Sequence, residues 1–206
     1  KNHKNDVNVV LPHQNKRTEQ RGKARYVQVY RLPRSMCVHN AYNHRFGTEW
    51  ENLREDRIAA GKPKELNVGN IDDIKIIRDV LMGIDPPNRK RAQTFDDLKE
   101  GIEKAAEESE QRNFNGQTTA GIITWDGIYV NGNRRDAALE EIKIGLLKNK
   151  KNKKRGIDTK KFDYIQVARC DEGLWEDDVL AMEMYEQISK DLRDPYDYMN
   201  AAILIK

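Results

Sequence analysis

The sequence predicts an α/β (α+β) fold, short strands set among helices, on three observations. Runs of β-branched and aromatic residues with a two-residue alternation occur at Tyr26–Leu32 and Phe162–Arg169. Between and after them lie stretches whose apolar residues recur at helical spacing, bounded by Gly, Pro and capping residues. Near the middle, Trp125-Asp126-Gly127 separates Ala120–Thr124 from Ile128–Asn131, and an Asp-Gly pair flanked by β-branched residues is a hairpin signal.

Taken in order, Lys1–Lys23 is polar, basic and aperiodic and is expected to be a flexible arm, with Val7–Leu11 as its one strand-like run. The remainder, residues 24–206, reads as a single domain. Its first strand places Tyr26, Gln28 and Tyr30 on one side and Val27, Val29 and Arg31 on the other, and Pro33 stops it. A polar, loop-like segment from Val38 to Phe46 follows. Residues 46–93 look like a helical insertion. Trp50–Ala60 is closed by Gly61-Lys62-Pro63, and Asp72–Met82, with Ile74, Ile76, Ile77, Val80 and Leu81 for a core, is closed by Gly83. The third helix is expected over Thr94–Gln111, capped by Thr94, with Phe95, Leu98 and Ile102 as its apolar stripe. After the hairpin a helix from Asn133 carries Ala138, Leu139, Ile142 and Leu146 towards the sheet. Beyond Phe162–Arg169, a helix over Leu174–Leu192 and a last one over Tyr196–Leu204, opened by Pro195, complete the expectation.

Composition limits the function classes. Charged residues make up 34% of the chain, yet the net charge is only +3, so no global basic field announces nucleic acid. Any such contact is left to the run Lys148–Arg155, where Lys150, Lys151, Lys153, Lys154 and Arg155 could grip a phosphate backbone or form a solvated loop. Cys37 and Cys170 lie far apart, and the four histidines form no metal-ligand spacing, which argues against structural zinc. No run approaches the ~18 apolar residues of a membrane span and no signal-peptide pattern is visible. The expectation is a cytoplasmic protein with no membrane partner.

The stretch that carries chemistry is the turn after the hairpin. Gly132 lets the backbone bend sharply and come close to a ligand, and Arg134 and Arg135 fall in the first turn of the following helix. Two arginines there oppose the helix dipole, so they suggest a bound anion. The alternative is that they pair with Asp126, Asp136 or Glu140 on a wet surface.

Asp126-Gly127-Ile128-Tyr129-Val130-Asn131-Gly132-Asn133-Arg134-Arg135-Asp136-Ala137-Ala138 resembles the phosphate-binding box of the ParB/sulfiredoxin superfamily in its Gly-Asn-Arg-Arg variant. Asn43-His44-Arg45 is similar to the Asn-x-Arg element after that family's first strand, and Glu186–Leu192 looks like a degenerate form of its second box. The resemblance covers about Tyr26–Arg45 and Phe95–Asp197 and leaves the insertion unexplained. It implies a small mixed sheet with flanking helices and a nucleoside triphosphate, CTP or ATP, bound with Mg2+. Gly132, Asn133, Arg134 and Arg135 would then hold phosphates, with Gln117, Thr118, Asn43, Arg45, Gln187 and Lys190 completing the pocket. Glu186 would hold the metal, and Glu186 with Arg135 would act in any hydrolysis. Asn133 stands where a sulfiredoxin-like activity needs a cysteine, which sets that chemistry aside. The resemblance leaves open a nucleoside triphosphate hydrolase, a DNA-binding protein or metal-dependent ParB-like nuclease, and a non-enzymatic interaction module. Homodimerisation is a further expectation it carries.

Overall fold

The computed structural model describes residues 6–10, 24–40, 46–148, 158–170 and 182. Five strands form a sheet in the order β1-β2-β5-β3-β4: β1 (Asp6–Val10), β2 (Ala24–Pro33), β3 (Gly121–Ile123), β4 (Tyr129–Asn131) and β5 (Tyr164–Arg169). The sheet is mixed, since β3 runs parallel to β5 while the β1-β2, β2-β5 and β3-β4 pairs are antiparallel. Four helices flank it: α1 (Gly47–Ala59), α2 (Ile71–Met82), α3 (Arg89–Glu108) and α4 (Asn133–Lys148). The strand-like run inside the N-terminal arm thus forms β1.

The hairpin forms as its sequence demands. Gly127 sits at φ 94°, in the region that favours glycine, and a Cβ there would lie 2.6 Å from Met36 O. That close approach belongs to a second feature. Val38 bridges Ile128 in parallel, donating to Gly127 O at 2.9 Å and accepting from Tyr129 N at 3.0 Å. The chain leaving β2 therefore covers the outer edge of β4, an edge that would otherwise expose unpaired backbone groups. Opposite Ile122 and Ile123, β4 carries Val130 as an extra residue between Tyr129 and Asn131, a bulge just before α4 begins.

The main core lies between the sheet and helices α3 and α4. Phe95, Ile102 and Ala106 of α3 and Ala138, Leu139, Ile142 and Leu146 of α4 pack on Ile123, Tyr129, Ile165 and Val167. Ile122 and Ala168, register partners on the other face of the strands, are buried as well, so both faces are covered. The insertion has its own smaller cluster of Phe46, Trp50, Ile77, Val80 and Leu81. It is tied to the rest through Met82 in the main core and the Arg78–Glu141 ion pair at 3.0 Å, while an Arg91–Glu49 ion pair joins the start of α3 to α1. Within it Arg57 and Asp73 form a pair at 2.8 Å, both largely buried. The Asn67 amide and then the Arg57 guanidinium hold the Asp73 carboxyl below its usual range.

Several boundaries differ from the sequence expectation, two of them with a local cause. The third helix begins five residues before Thr94, because Asn88 caps it by accepting from Arg91 N at 3.0 Å. Thr94 is an interior residue whose hydroxyl donates to Arg91 O at 3.0 Å. At β5, Phe162 belongs to a short 3-10 turn, Thr159–Asp163, and the strand starts at Tyr164. The expected helix over 174–192 is described only at Met182, which is helical and buried. The last expected helix and the cationic run from residue 149 onward lie outside the described residues.

Candidate functional site

Gly132 is the pivot between β4 and α4. Its φ of 120° favours glycine, and a Cβ would sit 3.2 Å from the Cα of Gly121. Gly121 has the same constraint in return, since its Cβ would lie 2.9 Å from Asn131 O. Two glycine backbones are thereby pressed together where α4 begins, and Asp136 N closes the first helical turn on Gly132 O at 2.9 Å. The first amides of such a turn have no intrahelical acceptors, which gives the start of α4 the polarity that anions favour.

The four residues after Gly132 point in three directions. Asn133 is 3% exposed. Its Oδ1 accepts from Asn40 N at 3.0 Å and faces His39 Nδ1 at 3.3 Å. Arg134 reaches back to α3, donating from Nη2 to Arg91 O at 3.1 Å and to Thr94 Oγ1 at 2.9 Å, with its guanidinium 5.9 Å from the Phe95 ring centre. Arg135 stays at the rim and donates to Thr119 O at 3.1 Å. Asp136 turns inward to Arg34 Nε at 2.5 Å and His39 Nε2 at 3.1 Å. The two neighbouring arginines thus have different tasks: one braces α4 on α3, the other meets solvent beside the 116–120 loop.

The sequence reading offered Asp136, Glu140 and Asp126 as alternative partners for these arginines, and the structure gives two of them to a different residue. Arg34, at the end of β2, takes Asp136 and also Glu140 at 2.6 Å. Asp126 instead accepts from Thr124 Oγ1 inside the hairpin turn. Burial works against ionisation of Asp136, but the His39 hydrogen bond and the charge and hydrogen bonds of Arg34 outweigh it and hold its carboxyl below the usual range. Burial pushes the Cys37 thiol and the neighbouring Tyr129 hydroxyl upward, so neither is an activated nucleophile.

Gln117 and Thr118 separate as well. Gln117 is 2% exposed, and its carboxamide acts as a spare piece of strand. Nε2 donates to Gln166 O at 2.7 Å and Thr119 O at 2.9 Å, while Oε1 accepts from Gln166 N at 2.8 Å. Thr118 is exposed beside it. The structure thus leaves Thr118 exposed and Arg135 partly exposed near the start of α4, while Gly132 is buried and belongs with Asn133, Arg134 and Gln117 to the scaffold behind them. Asn43, Arg45, Glu186, Gln187 and Lys190 lie outside the described residues, as do Lys150, Lys151, Lys153, Lys154 and Arg155. Arg34 and His39 went unread in the sequence. The signal available was an arginine and a histidine just past a strand that ends at Pro33, opposite a helix with acids at i and i+4.

Among the described residues no three His, Cys, Asp or Glu side chains group as metal ligands. The acids nearest the turn, Asp136 and Glu140, are both committed to Arg34. Among the described residues the turn therefore offers magnesium no uncommitted carboxylate. No family model, curated protein or solved structure matches the chain.

Proposed function

We propose that the chain is a ParB-like nucleotide-binding domain that takes the phosphates of a nucleoside triphosphate at the Gly132 turn. The observation that carries this reading is the start of α4 directly after the Gly132 pivot, where the first amides have no intrahelical acceptors and the Arg135 guanidinium is held at the rim. Electrostatics favour it too. Arg34 and His39 face Asp136, and Arg34 faces Glu140, so the two acids of the first turns are compensated and their repulsion of an incoming anion is reduced. In this reading Arg135 makes the phosphate contact and Arg134 is the brace that keeps the turn in place. The chemistry assigned is binding, since the described residues gather no general base, and no step is routed through magnesium.

Calorimetric titration with CTP, ATP and GTP, with and without magnesium, tests it. Arg135→Ala should weaken nucleotide binding at least tenfold while the thermal midpoint stays put, because rim substitutions cost within ~0.5 kcal/mol. Unchanged affinity in that variant would remove the turn as the phosphate site. Binding of duplex DNA that falls steeply with salt, in place of nucleotide, would reassign the turn to a nucleic-acid backbone.

A further inference from the structure

The Gln117 carboxamide is fully engaged inside the protein. Its Nε2 donates to Gln166 O at 2.7 Å and to Thr119 O at 2.9 Å, which uses both amide protons, and Oε1 accepts from Gln166 N at 2.8 Å. At 2% exposed, with no proton left to donate, it is ill suited to line a pocket as the family resemblance implies. One of its bonds leads elsewhere. The Thr119 carbonyl that accepts from Gln117 also accepts from Arg135 Nη1 at 3.1 Å, so two side chains meet on one backbone oxygen.

The loop that carries this oxygen is held from both sides. β3 pairs with β5 from Val167 onward, and the residues two and four positions before Ala168 present their backbone groups to the same side of β5. There the side chains of the loop continue the ladder. Asn115 Nδ2 donates to Tyr164 O at 2.7 Å, its Oδ1 accepts from Gln117 N at 3.1 Å, and Gln117 takes Gln166. On the other side Gly116 lies against α3, where a Cβ would come within 1.8 Å of Ile102 O. Past Gln117 the chain emerges, with Thr118 and Thr119 both exposed. The Gln117–Thr119 bond carries the order of the buried part out to the first exposed residues.

We propose that Gln117 is a positioning residue for Arg135: by fixing the Thr119 carbonyl it sets the direction of the guanidinium at the start of α4. A guanidinium presents its N–H donors in one rigid plane, so fastening one of them to a fixed oxygen orients the rest. A long arginine side chain held this way loses less freedom when it meets a phosphate. The tie from Gln117 to Arg135 stands on geometry, while its effect on affinity rests on the Gly132 turn being the phosphate site.

The test joins a double-mutant cycle to NMR of the ligand-free protein. Affinity is measured by calorimetry for Gln117→Met, Arg135→Ala and the double variant, with whichever of CTP, ATP and GTP the unmodified protein binds, at a temperature where every variant is folded. Gln117→Met should weaken binding about fivefold, in the range of one hydrogen bond. The double variant should bind no more weakly than Arg135→Ala alone, because Gln117 acts through Arg135. A merely structural Gln117 would weaken binding by the same factor in both backgrounds, and that result, or unchanged affinity in Gln117→Met, would overturn the proposal. Unchanged affinity in Arg135→Ala alone would instead remove the phosphate reading and leave the tie itself to NMR. The unmodified protein should show nuclear Overhauser contacts between the Gln117 Nε2 protons and the Arg135 guanidinium protons, and Gln117→Met should shift the guanidinium signals. Absence of those contacts would overturn the tie even if Gln117→Met does not fold.

Discussion

Replacing Asp136 with asparagine keeps the side-chain shape and removes the charge of a buried carboxylate that meets both Arg34 and His39. Asp136 Oδ1 accepts from Arg34 Nε at 2.5 Å, and Oδ2 faces His39 Nε2 at 3.1 Å and Arg34 Nη2 at 3.4 Å. Arg34 is 12% exposed at its side chain, so the substitution leaves a largely buried guanidinium with Glu140 and the Phe162 carbonyl. Removing one partner of a buried pair costs about 3–5 kcal/mol. Glu140 offsets part of that, and the expected loss is about 3 kcal/mol. With a urea slope in the ~1–3 kcal/mol/M range, the unfolding midpoint should fall by more than roughly 1 M. Glu140→Gln, at a site 30% exposed, serves as the contrast and should cost no more than about 1 kcal/mol.

The same substitution has a signature in acid. The folded-state pKa of Asp136 lies below its ordinary value of 3.8, so its contribution is complete above that pH and is lost as pH falls through the lower folded value. Asp136→Asn should therefore lose most stability at neutral pH and show a shallower decline on the acid side. Equal losses at neutral and strongly acid pH, or a neutral-pH loss below ~0.5 kcal/mol, would refute the assignment of Asp136 as an ionised, buried hub.

Three further substitutions probe the parts that place the turn. Gly116→Ala should cost roughly 3 kcal/mol or more, since Gly116 sits at φ 85° and its Cβ would lie 1.8 Å from Ile102 O of α3; near-native melting would contradict the close packing of this loop on that helix. Gln117→Leu should cost about 2–3 kcal/mol by stripping partners from both Gln166 N and Gln166 O, measured by urea unfolding, and a neutral effect would deny the carboxamide its strand-like role. Arg134→Ala should lower stability by about 1–2 kcal/mol because Arg91 O and the Thr94 hydroxyl lose a charged donor, in contrast to Arg135→Ala; equal stabilities for the two variants would erase their division of labour.

Local signals in the chain located the elements well where one residue decides the backbone. Gly127 and Gly132 mark the two ends of β4 from sequence alone because each needs a positive φ that other residues resist. The apolar spacing of Ala138, Leu139, Ile142 and Leu146 likewise identifies the buried face of α4. What could not be read was the choice of partner between distant segments. Arg34 and Asp136 are 102 residues apart, and nothing in either neighbourhood distinguishes that pairing from a local one between Arg135 and Asp136. Thr94 shows the limit for caps: a threonine followed by two acids satisfies the local rule, yet Asn88, set just after Pro86 and Pro87, captures the helix start first.

The pattern of tethers suggests why an arginine pair need not act as a pair. Successive residues on a helix point about 100° apart, so Arg134 and Arg135 could not both aim at one small ligand without bending their long side chains round the axis. Here the divergence is used. Arg134 fixes α4 to α3, Asn133 and Asp136 fix it to the segment after β2, and Arg135 joins it to the loop after Gly116. A site that binds phosphate through backbone amides gains from such bracing, because donors already in position lose no further freedom on binding. The two arginines should therefore differ under ligand. Arg134→Ala should weaken nucleotide binding only as far as it loosens the turn, and stabilising conditions such as lower temperature should recover much of the loss. In the proposed reading Arg135→Ala removes the phosphate contact itself, and its loss should persist under the same conditions. Recovery of both variants together would mean that the turn binds through its backbone alone.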